Sequence, residues 1–216
     1  CIRDRSKVYD AKTYVKTRLA YDWWKYVALI VVVCLLWYYA FYMTDRLKDT
    51  EKIQIFTSAE IVNFDIEKEL EDEFSKQGIY DYFFYQASFE NKNFEFALET
   101  QGFGNSDILI IPEEALTETM LAQCVVFDGE LIKACKTAND KVSFVQSEEK
   151  TYGIKIYVKD DEEYNNGFSF SSWINPDRNY CMVLSKQSKN VGRLSSESKA
   201  ENDKALSTYI YLLSRK

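Results

Sequence analysis

Hydrophobic and polar positions divide this chain into one long apolar segment and a series of shorter amphipathic ones. Residues 26–43, YVALIVVVCLLWYYAFYM, carry no charged side chain. A helix of this length, with flanking side chains that reach the interface, crosses a bilayer core of about 30 Å. Trp23 and Trp24 precede the segment, and aromatic residues from Trp37 to Tyr42 end it, as is typical of the two membrane–water interfaces. We therefore predict a transmembrane helix over 26–43.

Two other structures give a similar apolar pattern. A helix in the core of a soluble protein can be as apolar, but aromatic residues would rarely gather at both of its ends. A cleaved signal peptide also combines a basic start with an apolar run, but that run spans about 7–15 residues and ends in a site of small residues. Here the run is longer, and Ala40 is surrounded by aromatic residues. The pattern favours an uncleaved anchor in the lipid bilayer.

Charge is divided unevenly on the two sides of this segment. Residues 1–25 contain seven Lys and Arg against three Asp, a net charge of +4, so the chain's total of −7 leaves −11 for residues 44–216. Positively charged flanks stay on the cytoplasmic side of a membrane. We therefore predict a cytoplasmic tail over 1–25, a polar stalk over 44–51 and an extracytoplasmic domain over 52–216. The first five residues, CIRDR, are interpreted as non-native sequence because they resemble an adaptor.

Short strand and helix patterns alternate through the acidic domain. Alternating or continuous apolar runs predict strands, and amphipathic runs predict helices. The predicted strands are 52–57, 79–87, 107–111, 141–146, 152–158 and 180–185. The predicted helices are 63–76 with Asn63 as its cap and Gly78 as its stop, 91–101, one opened by Pro112, 129–136 and 202–214, with loops at 160–167 and 186–200. This order predicts an α/β fold, a three-layer domain with a mostly parallel or mixed sheet.

The residue types present exclude several kinds of chemistry. The chain has no His, which excludes Ser-His-Asp and Cys-His catalysis and removes the commonest zinc ligand. It has no CxxC pair and no GxxxxGK[ST] motif, so we predict neither a metal site nor a cofactor. Acidic pairs at 113–114, 160–161 and 162–163 are interpreted as solvated surface, whereas a carboxylate-based hydrolase would need two acids across a cleft. We expect a non-enzymatic protein, and its acidic domain disfavours nucleic acid as a partner.

The cysteines leave two interpretations open. Cys34 lies in the apolar segment, where a thiol is a small apolar group. Cys124, Cys135 and Cys181 lie outside it, an odd number that allows at most one intramolecular bridge. Cys124 and Cys135 are the candidates for that disulfide, which would stabilise the domain by about 2–3 kcal/mol. The alternative is that all three thiols are buried as small hydrophobic groups.

Several segments, taken in order, carry a family resemblance. They are KIQIFTS (52–58), LEDEFSKQGI (70–79), GNSDILIIPEEAL (104–116), YGIKIYV (152–158), YCMVLSKQSKN (180–190) and ALSTYIYLLSRK (205–216). This series resembles the extracellular solute-binding proteins of bacterial ABC transporters, which have the type 2 periplasmic-binding-protein-like fold. Full members have a large second lobe and are free or lipid-anchored, whereas this chain leaves only about twenty residues for that lobe. The resemblance therefore implies a single-lobe relative held at the membrane.

The resemblance also implies a function and a site. It implies a bacterial, non-enzymatic protein that binds a small solute beside a transporter permease or an envelope protein. In open α/β sheets, ligands bind at the carboxyl ends of the parallel strands. The implied contacts are Thr57, Ser58 and Glu60 after the first strand, Pro112 and Glu113 after 107–111, and Trp173 and Tyr180 as stacking faces. Two alternatives stay open: Ser58 merely ends a strand while Trp173 packs over the core, or the scaffold is an interaction module that binds a protein and no small ligand.

Overall fold

The chain divides into two units. A computed structural model describes residues 11–45, 48–62, 65–194 and 202–215. One unit runs to Arg46 and the other begins at Leu47. The predictions for the first ten residues, for Asn63 as a helix cap and for the later part of the loop 186–200 lie outside the described residues.

The N-terminal unit contains one long helix, α1 (Ala11–Asp45), which extends beyond the predicted 26–43 on both sides. Its Ala20–Met43 portion is long and apolar enough to cross a membrane, and none of that window is buried inside the protein. A membrane-spanning length near the N-terminus is therefore confirmed, and exposure of the apolar side chains argues against a core helix. Because a signal sequence meets the same criteria, permanent anchoring and orientation stay predictions.

The second unit is built on a mixed six-stranded sheet, and the predicted α/β class is confirmed. The strands are β1 (Lys52–Thr57), β2 (Glu60–Ile61), β3 (Asp81–Gln86), β4 (Ile108–Pro112), β5 (Ser143–Ser147), β6 (Lys150–Tyr157), β7 (Ile174–Asn175) and β8 (Tyr180–Leu184). Their order in the main sheet is β3-β1-β4-β8-β6-β5, and β2 pairs with β7 apart from it. β1 is parallel to β3 and β4, while β8 is antiparallel to β4 and β6, and β5 is antiparallel to β6.

Short helices connect these strands. They are α2 (Asp65–Lys76), α3 (Phe94–Ala97) continuing as a π-helix over Leu98–Phe103, α4 (Glu118–Leu121), α5 (Gly129–Ala138), α6 (Glu162–Asn165) and α7 (Lys204–Ser214). Single 3₁₀ turns occur at Asp49–Glu51, Glu113–Ala115, Ser169–Ser172 and Gly192–Leu194. The predicted helices at 63–76, 91–101, 129–136 and 202–214 therefore all have helical counterparts.

Apolar side chains on the two faces of the sheet form two separate clusters, because successive residues of a strand point to opposite faces. One cluster joins Ile53, Ile55, Ile108, Ile110, Met182 and Leu184 to α2, α5 and α7. The other joins Phe56, Leu109, Ile111 and Val183 to α3, its π-helical continuation and α4. The sheet thus lies between two helical layers, and the central strands β4 and β8 are buried on both faces.

Gly78 ends α2 and directs the chain into β3. Its φ of +70° is in the left-handed region that glycine adopts without strain. The Gly78 N–H donates to the Ser75 carbonyl (3.1 Å), and the Ile79 N–H donates to the Phe74 carbonyl (2.9 Å). These two bonds form a Schellman motif, which brings the end of α2 beside the start of β3.

Two local predictions differ from the structure. Pro112 is the last residue of β4, where it pairs with Tyr180, and it caps only a single 3₁₀ turn (Glu113–Ala115) in place of the predicted helix. Helix α4 begins later, where the Thr117 hydroxyl accepts a hydrogen bond from the Met120 N–H (3.4 Å) and thereby caps its first turn. The predicted loop 160–167 contains α6, because Asp161 accepts from the N–H of Tyr164 (3.0 Å) in the same capping geometry.

The candidate disulfide is not formed. Cys124, Cys135 and Cys181 are free, buried thiols. Cys135 belongs to the cluster under α5, whereas Cys124 belongs to the cluster on the opposite face of the sheet. Burial raises the pKa of each of the three thiols to about 12. The thiols therefore pack as small hydrophobic groups and stay protonated at neutral pH.

Candidate binding site at the carboxyl end of the sheet

The carboxyl ends of β1 and β4 lie side by side. The Ser58 N–H donates to the Ile110 carbonyl (2.9 Å), which ties the end of β1 to that of β4. β3 and β4 follow β1 in the main sheet along the chain but lie on opposite sides of it, so the strand order reverses at β1. Such a reversal is the switch point where open α/β sheets bind ligands. β8 starts at the same end, because Tyr180 pairs with Pro112. The structure thus brings together Thr57, Ser58, Pro112, Glu113 and Tyr180.

Thr57 and Ser58 make different contributions to this end. Thr57 is fully buried, and its hydroxyl accepts from the Ala59 N–H (3.2 Å) and donates to the Ala59 carbonyl (3.2 Å). Thr57 therefore shapes the turn after β1. The Ser58 hydroxyl donates weakly to the Ile110 carbonyl (3.4 Å) and also interacts with Tyr180. Ser58 does end its strand, but its hydroxyl remains part of the polar cluster.

Tyr180 donates its hydroxyl hydrogen to Asp177. The oxygen-to-oxygen distance is 2.9 Å. Burial and the neighbouring carboxylate raise the pKa of Tyr180, so the phenol remains a neutral donor. The guanidinium of Arg178 donates to both Asp177 oxygens, with a shortest distance of 2.6 Å, and lowers the pKa of Asp177 to about 2. Asp177 is therefore ionised at neutral pH.

Arg178 connects three segments at this end. Besides Asp177, its guanidinium contacts Glu114 (2.9 Å) after β4 and Glu90 (3.6 Å) after β3. It also lies 5.0 Å from the centre of the Phe89 ring, a distance at which a cation and an aromatic face attract each other. Sequence reasoning missed Arg178, because Glu114 lies 64 residues before it in the chain and Glu90 lies earlier still.

Glu113 is held on both of its carboxylate oxygens. Lys155 forms an ion pair with one oxygen (2.5 Å), and the Asn179 side-chain amide donates to the other (3.1 Å). The Asn179 oxygen in turn accepts from the N–H of Lys159 (2.8 Å). Because Glu113 remains partly exposed at this fixed position, it can accept a further hydrogen bond from a solute.

Trp173 and Tyr180 do not offer stacking faces, because each ring is only 2 % exposed. Trp173 instead packs against Phe170 and Phe84, with ring centres 4.9 and 6.3 Å away. Its indole N–H is buried and finds no acceptor among the residues that the structure describes. An unsatisfied buried donor costs about 1–3 kcal/mol. Glu60, the remaining predicted residue, lies exposed in β2 opposite Asn175.

A second polar cluster lies at the amino end of β4, where no ligand contact was predicted. Asp107, only 6 % exposed, accepts from the Gln54 N–H (2.9 Å), the Ser188 hydroxyl (2.5 Å) and the Asn190 amide (3.0 Å). Burial raises the pKa of Asp107, against the effect of these hydrogen bonds. The cluster borders a polar cavity of about 330 Å³. Its sequence signal is an Asp directly before a continuous apolar strand.

The arrangement at the carboxyl end supports binding better than bond-making chemistry. Its acids are paired with Lys155 or Arg178, and the nearby phenol stays protonated. Among the described residues, no group of three or more Cys, Asp and Glu is placed to hold a metal ion. Comparisons of the chain with protein-family models, with curated proteins and with solved structures found no match.

Proposed function

We propose that this chain is a membrane-anchored, non-enzymatic binding protein of the solute-binding type. Its acidic domain lies outside the cytoplasm and holds a small polar solute at the carboxyl end of the sheet. A transporter permease or an envelope protein in the same membrane is the partner that would receive this solute. The family resemblance of the segments at 52–158 and 180–214 supports this environment.

The observation that carries the proposal is the meeting of Ser58, Glu113 and Tyr180 at the switch point between β1 and β4. Three segments distant in sequence supply one hydroxyl, one carboxylate and one phenol to one end of the sheet. Open α/β sheets bind ligands at this position because the connecting segments diverge there.

Local charge narrows the class of solute. The cluster contains four carboxylates, Glu90, Glu113, Glu114 and Asp177, against two cations, Lys155 and Arg178. A surplus of negative charge repels anions and attracts cations. The solute is therefore a neutral polar molecule, such as a sugar, or a small cationic one, such as a basic amino acid.

Thermal unfolding of the complete chain in phosphatidylcholine nanodiscs tests the proposal. The panel contains sugars, neutral and basic amino acids, dipeptides and dicarboxylates. A solute at 100 times its Kd stabilises the domain by about 2.7 kcal/mol, which raises the Tm by several degrees. We expect such a shift for one neutral or cationic class and none for dicarboxylates.

Two variants test whether the rise in Tm depends on the proposed site. Glu113→Gln keeps the shape of the side chain but removes its charge, and we expect it to abolish most of the shift. Glu149→Gln makes the same change in the exposed β5–β6 turn and leaves the shift intact. Stabilisation by no member of the panel, or an equal shift in both variants, would contradict the proposed site.

A further inference from the structure

The polar cavity at the amino end of β4 is built by the sheet together with two loops. Gln54 and Asp107 exchange two hydrogen bonds, from the Gln54 N–H to the Asp107 carboxylate (2.9 Å) and from the Asp107 N–H to the Gln54 carbonyl (2.8 Å). Gln54 also pairs in register with Phe83 of β3, and paired residues of neighbouring strands point to the same face. Phe83, which is 50 % exposed, therefore forms the apolar side of this cavity of about 330 Å³.

One wall of the cavity comes from the π-helix Leu98–Phe103, which supplies Gln101. The Gly104 N–H donates to the Glu99 carbonyl (3.0 Å) and closes the last wide turn of this helix. A Cβ atom on Gly104 would lie 2.6 Å from the Thr100 carbonyl oxygen, so the turn requires glycine. π-helical turns are rare and occur frequently at functional sites. This one ends at the cavity, which Gly104 itself lines.

A second wall is the segment after β8. Its Ser188 hydroxyl and Asn190 amide both donate to the Asp107 carboxylate. Asn190 is only 2 % exposed, and its side-chain oxygen Oδ1 has no donor among the residues that the structure describes. An unpaired buried acceptor costs about 1–3 kcal/mol. This orphan acceptor in the cavity wall is therefore the kind of group that a bound hydroxyl satisfies.

Other polar side chains that line the cavity keep groups available for a ligand. The side-chain amides of Gln54 and Gln187 and the ammonium group of Lys52 have neither a hydrogen bond nor an ion pair within the described part of the chain. None of these three residues is buried. A side-chain amide both donates and accepts hydrogen bonds, as a hydroxyl group does. The cavity therefore offers donors and acceptors together, which suits a ligand rich in hydroxyl groups.

Charge and size narrow the class of ligand. The formal charges of Lys52 and Lys189 balance those of Asp49 and Asp107 at the cavity, and the charge of −11 on residues 44–216 repels anions. A volume of about 330 Å³ is at the lower end of the range for ligand pockets, which suits one ring better than a chain of rings. The C–H groups of such a ring pack on the aromatic face of Phe83 by dispersion.

We propose that this cavity binds a neutral cyclic polyol, such as a single hexose ring, through the side-chain amides of Gln54, Gln187 and Asn190. The C–H face of the ring lies on Phe83. β4 has five residues of about 3.3 Å each, so this cavity and the proposed solute site at the other end of β4 are roughly 17 Å apart. Neither proposal depends on the other.

Ligand-observed NMR titration of the complete chain in phosphatidylcholine nanodiscs tests the proposal, with empty nanodiscs as the blank. The ring probes are myo-inositol, methyl β-D-glucopyranoside and methyl β-D-galactopyranoside. The control is sorbitol, which carries as many hydroxyl groups as myo-inositol on an open chain. We expect at least one ring to bind with a Kd of about 1 mM or below, and sorbitol to bind at least about tenfold more weakly, because an open chain loses more conformational freedom. Binding of no ring, or equal binding of the rings and sorbitol, would overturn the proposal.

A matched pair of variants tests the aromatic side of the cavity. Phe83→Leu keeps an apolar side chain but removes the flat ring, and we expect it to weaken binding of the ring probe by about three- to tenfold. Tyr85→Leu makes a similar change two residues later on the same face of β3, outside the cavity. It should leave the affinity within about twofold. Equal weakening by both variants would refute the contact with Phe83.

Three further variants test the hydrogen bonds and separate the two sites. Gln187→Ala removes an exposed amide at the cavity and should weaken the ring probe by about three- to tenfold. Gln146→Ala makes the same change in β5, at the far edge of the sheet, and should leave the affinity unchanged, as should Glu113→Gln. An unchanged affinity in Gln187→Ala would overturn the placement. Loss of ring binding in Glu113→Gln would assign the ring to the carboxyl end of the sheet and overturn this proposal.

Discussion

Asp107 joins three segments of the chain through one carboxylate. It accepts from the N–H of Gln54 in β1 and from two residues after β8, Ser188 and Asn190. Asn190 also donates to the carbonyl of Lys52 (3.0 Å). The amino end of β1, the amino end of β4 and the segment after β8 are therefore held by one small polar network.

Removing this carboxylate should destabilise the domain. Asp107→Ala leaves the Gln54 N–H and the Ser188 hydroxyl without their acceptor, whereas Asn190 keeps the Lys52 carbonyl. Each buried unsatisfied group costs about 1–3 kcal/mol. We expect a loss of about 2–4 kcal/mol, since some donors will find water. Asp140→Ala, at an exposed position, should change stability by less than about 0.5 kcal/mol. Thermal unfolding of both variants in nanodiscs measures the difference, and similar Tm values for the two would contradict the network.

The raised pKa of Asp107 gives a pH dependence with a defined sign. Asp107 stays protonated to a higher pH in the folded state than in the unfolded chain, where an Asp has a pKa of about 3.9. Stability contributed by the group is therefore complete below that value and is lost as pH rises towards the folded pKa. Asp107→Asn cannot titrate. The free energy of unfolding of the wild type, relative to this variant, should fall as pH rises from 4, and a constant difference between pH 3 and 7 would refute the assignment.

At the scale of elements, β6 and β8 approach each other more closely at Gly153 than a side chain allows. A Cβ atom added there would lie 2.5 Å from the Met182 carbonyl oxygen and 2.6 Å from a Val183 methyl carbon. Gly153 pairs with Val183 in the register of these two strands. Gly153 is therefore required by contact between neighbouring strands in the middle of the sheet.

Two Gly→Ala changes should have opposite signs. Gly153→Ala must displace backbone, and overpacking of this kind costs about 1–3 kcal/mol. Gly129→Ala, in the first turn of α5, meets no atom within 4 Å and should stabilise the domain by about 0.4–1 kcal/mol by restricting the unfolded chain. Circular dichroism melts of both variants check the signs. Equal Tm values would contradict the close approach at Gly153.

Sequence reasoning succeeded where local pattern and tertiary environment agree. The apolar run at 107–111 became β4, and Gly78 ended α2 as expected. It was only partly right at Pro112, which ends β4 by pairing with Tyr180 and then caps one 3₁₀ turn in place of a longer helix. It failed at 160–167, where a capping hydrogen bond from the Tyr164 N–H to the Asp161 carboxylate accompanies one helical turn.

The candidate site was predictable in position but not in detail. That Ser58 and Glu113 would share one end of the sheet followed from the strand rule. Burial of Trp173 over the core was one of the interpretations left open, and the structure bears it out. By contrast, the role of Arg178 depends on Glu90 and Glu114, which only the folded chain brings to it.

At the scale of the whole molecule, labelling of introduced cysteines tests the predicted orientation. The native thiols of the domain are buried with pKa values of about 12 and should not react. In a Cys1→Ser background, Lys159→Cys should react with a membrane-impermeant maleimide on intact cells, because Lys159 is exposed. Ser6→Cys should react only after permeabilisation. The reverse pattern would invert the topology, and loss of the label into the medium would show that the apolar helix is cleaved.

The position of β8 determines when the sheet can be completed during synthesis. This strand lies in the middle of the sheet, between β4 and β6, yet it begins only at residue 180 of the chain. Until it emerges from the ribosome, β3-β1-β4 and β6-β5 are two fragments whose edge strands have no partner on the side that β8 will occupy. A chain in this state is prone to aggregation. Nascent chains halted before Tyr180 should therefore aggregate or be degraded. Chains released after α7 should complete the sheet and fold.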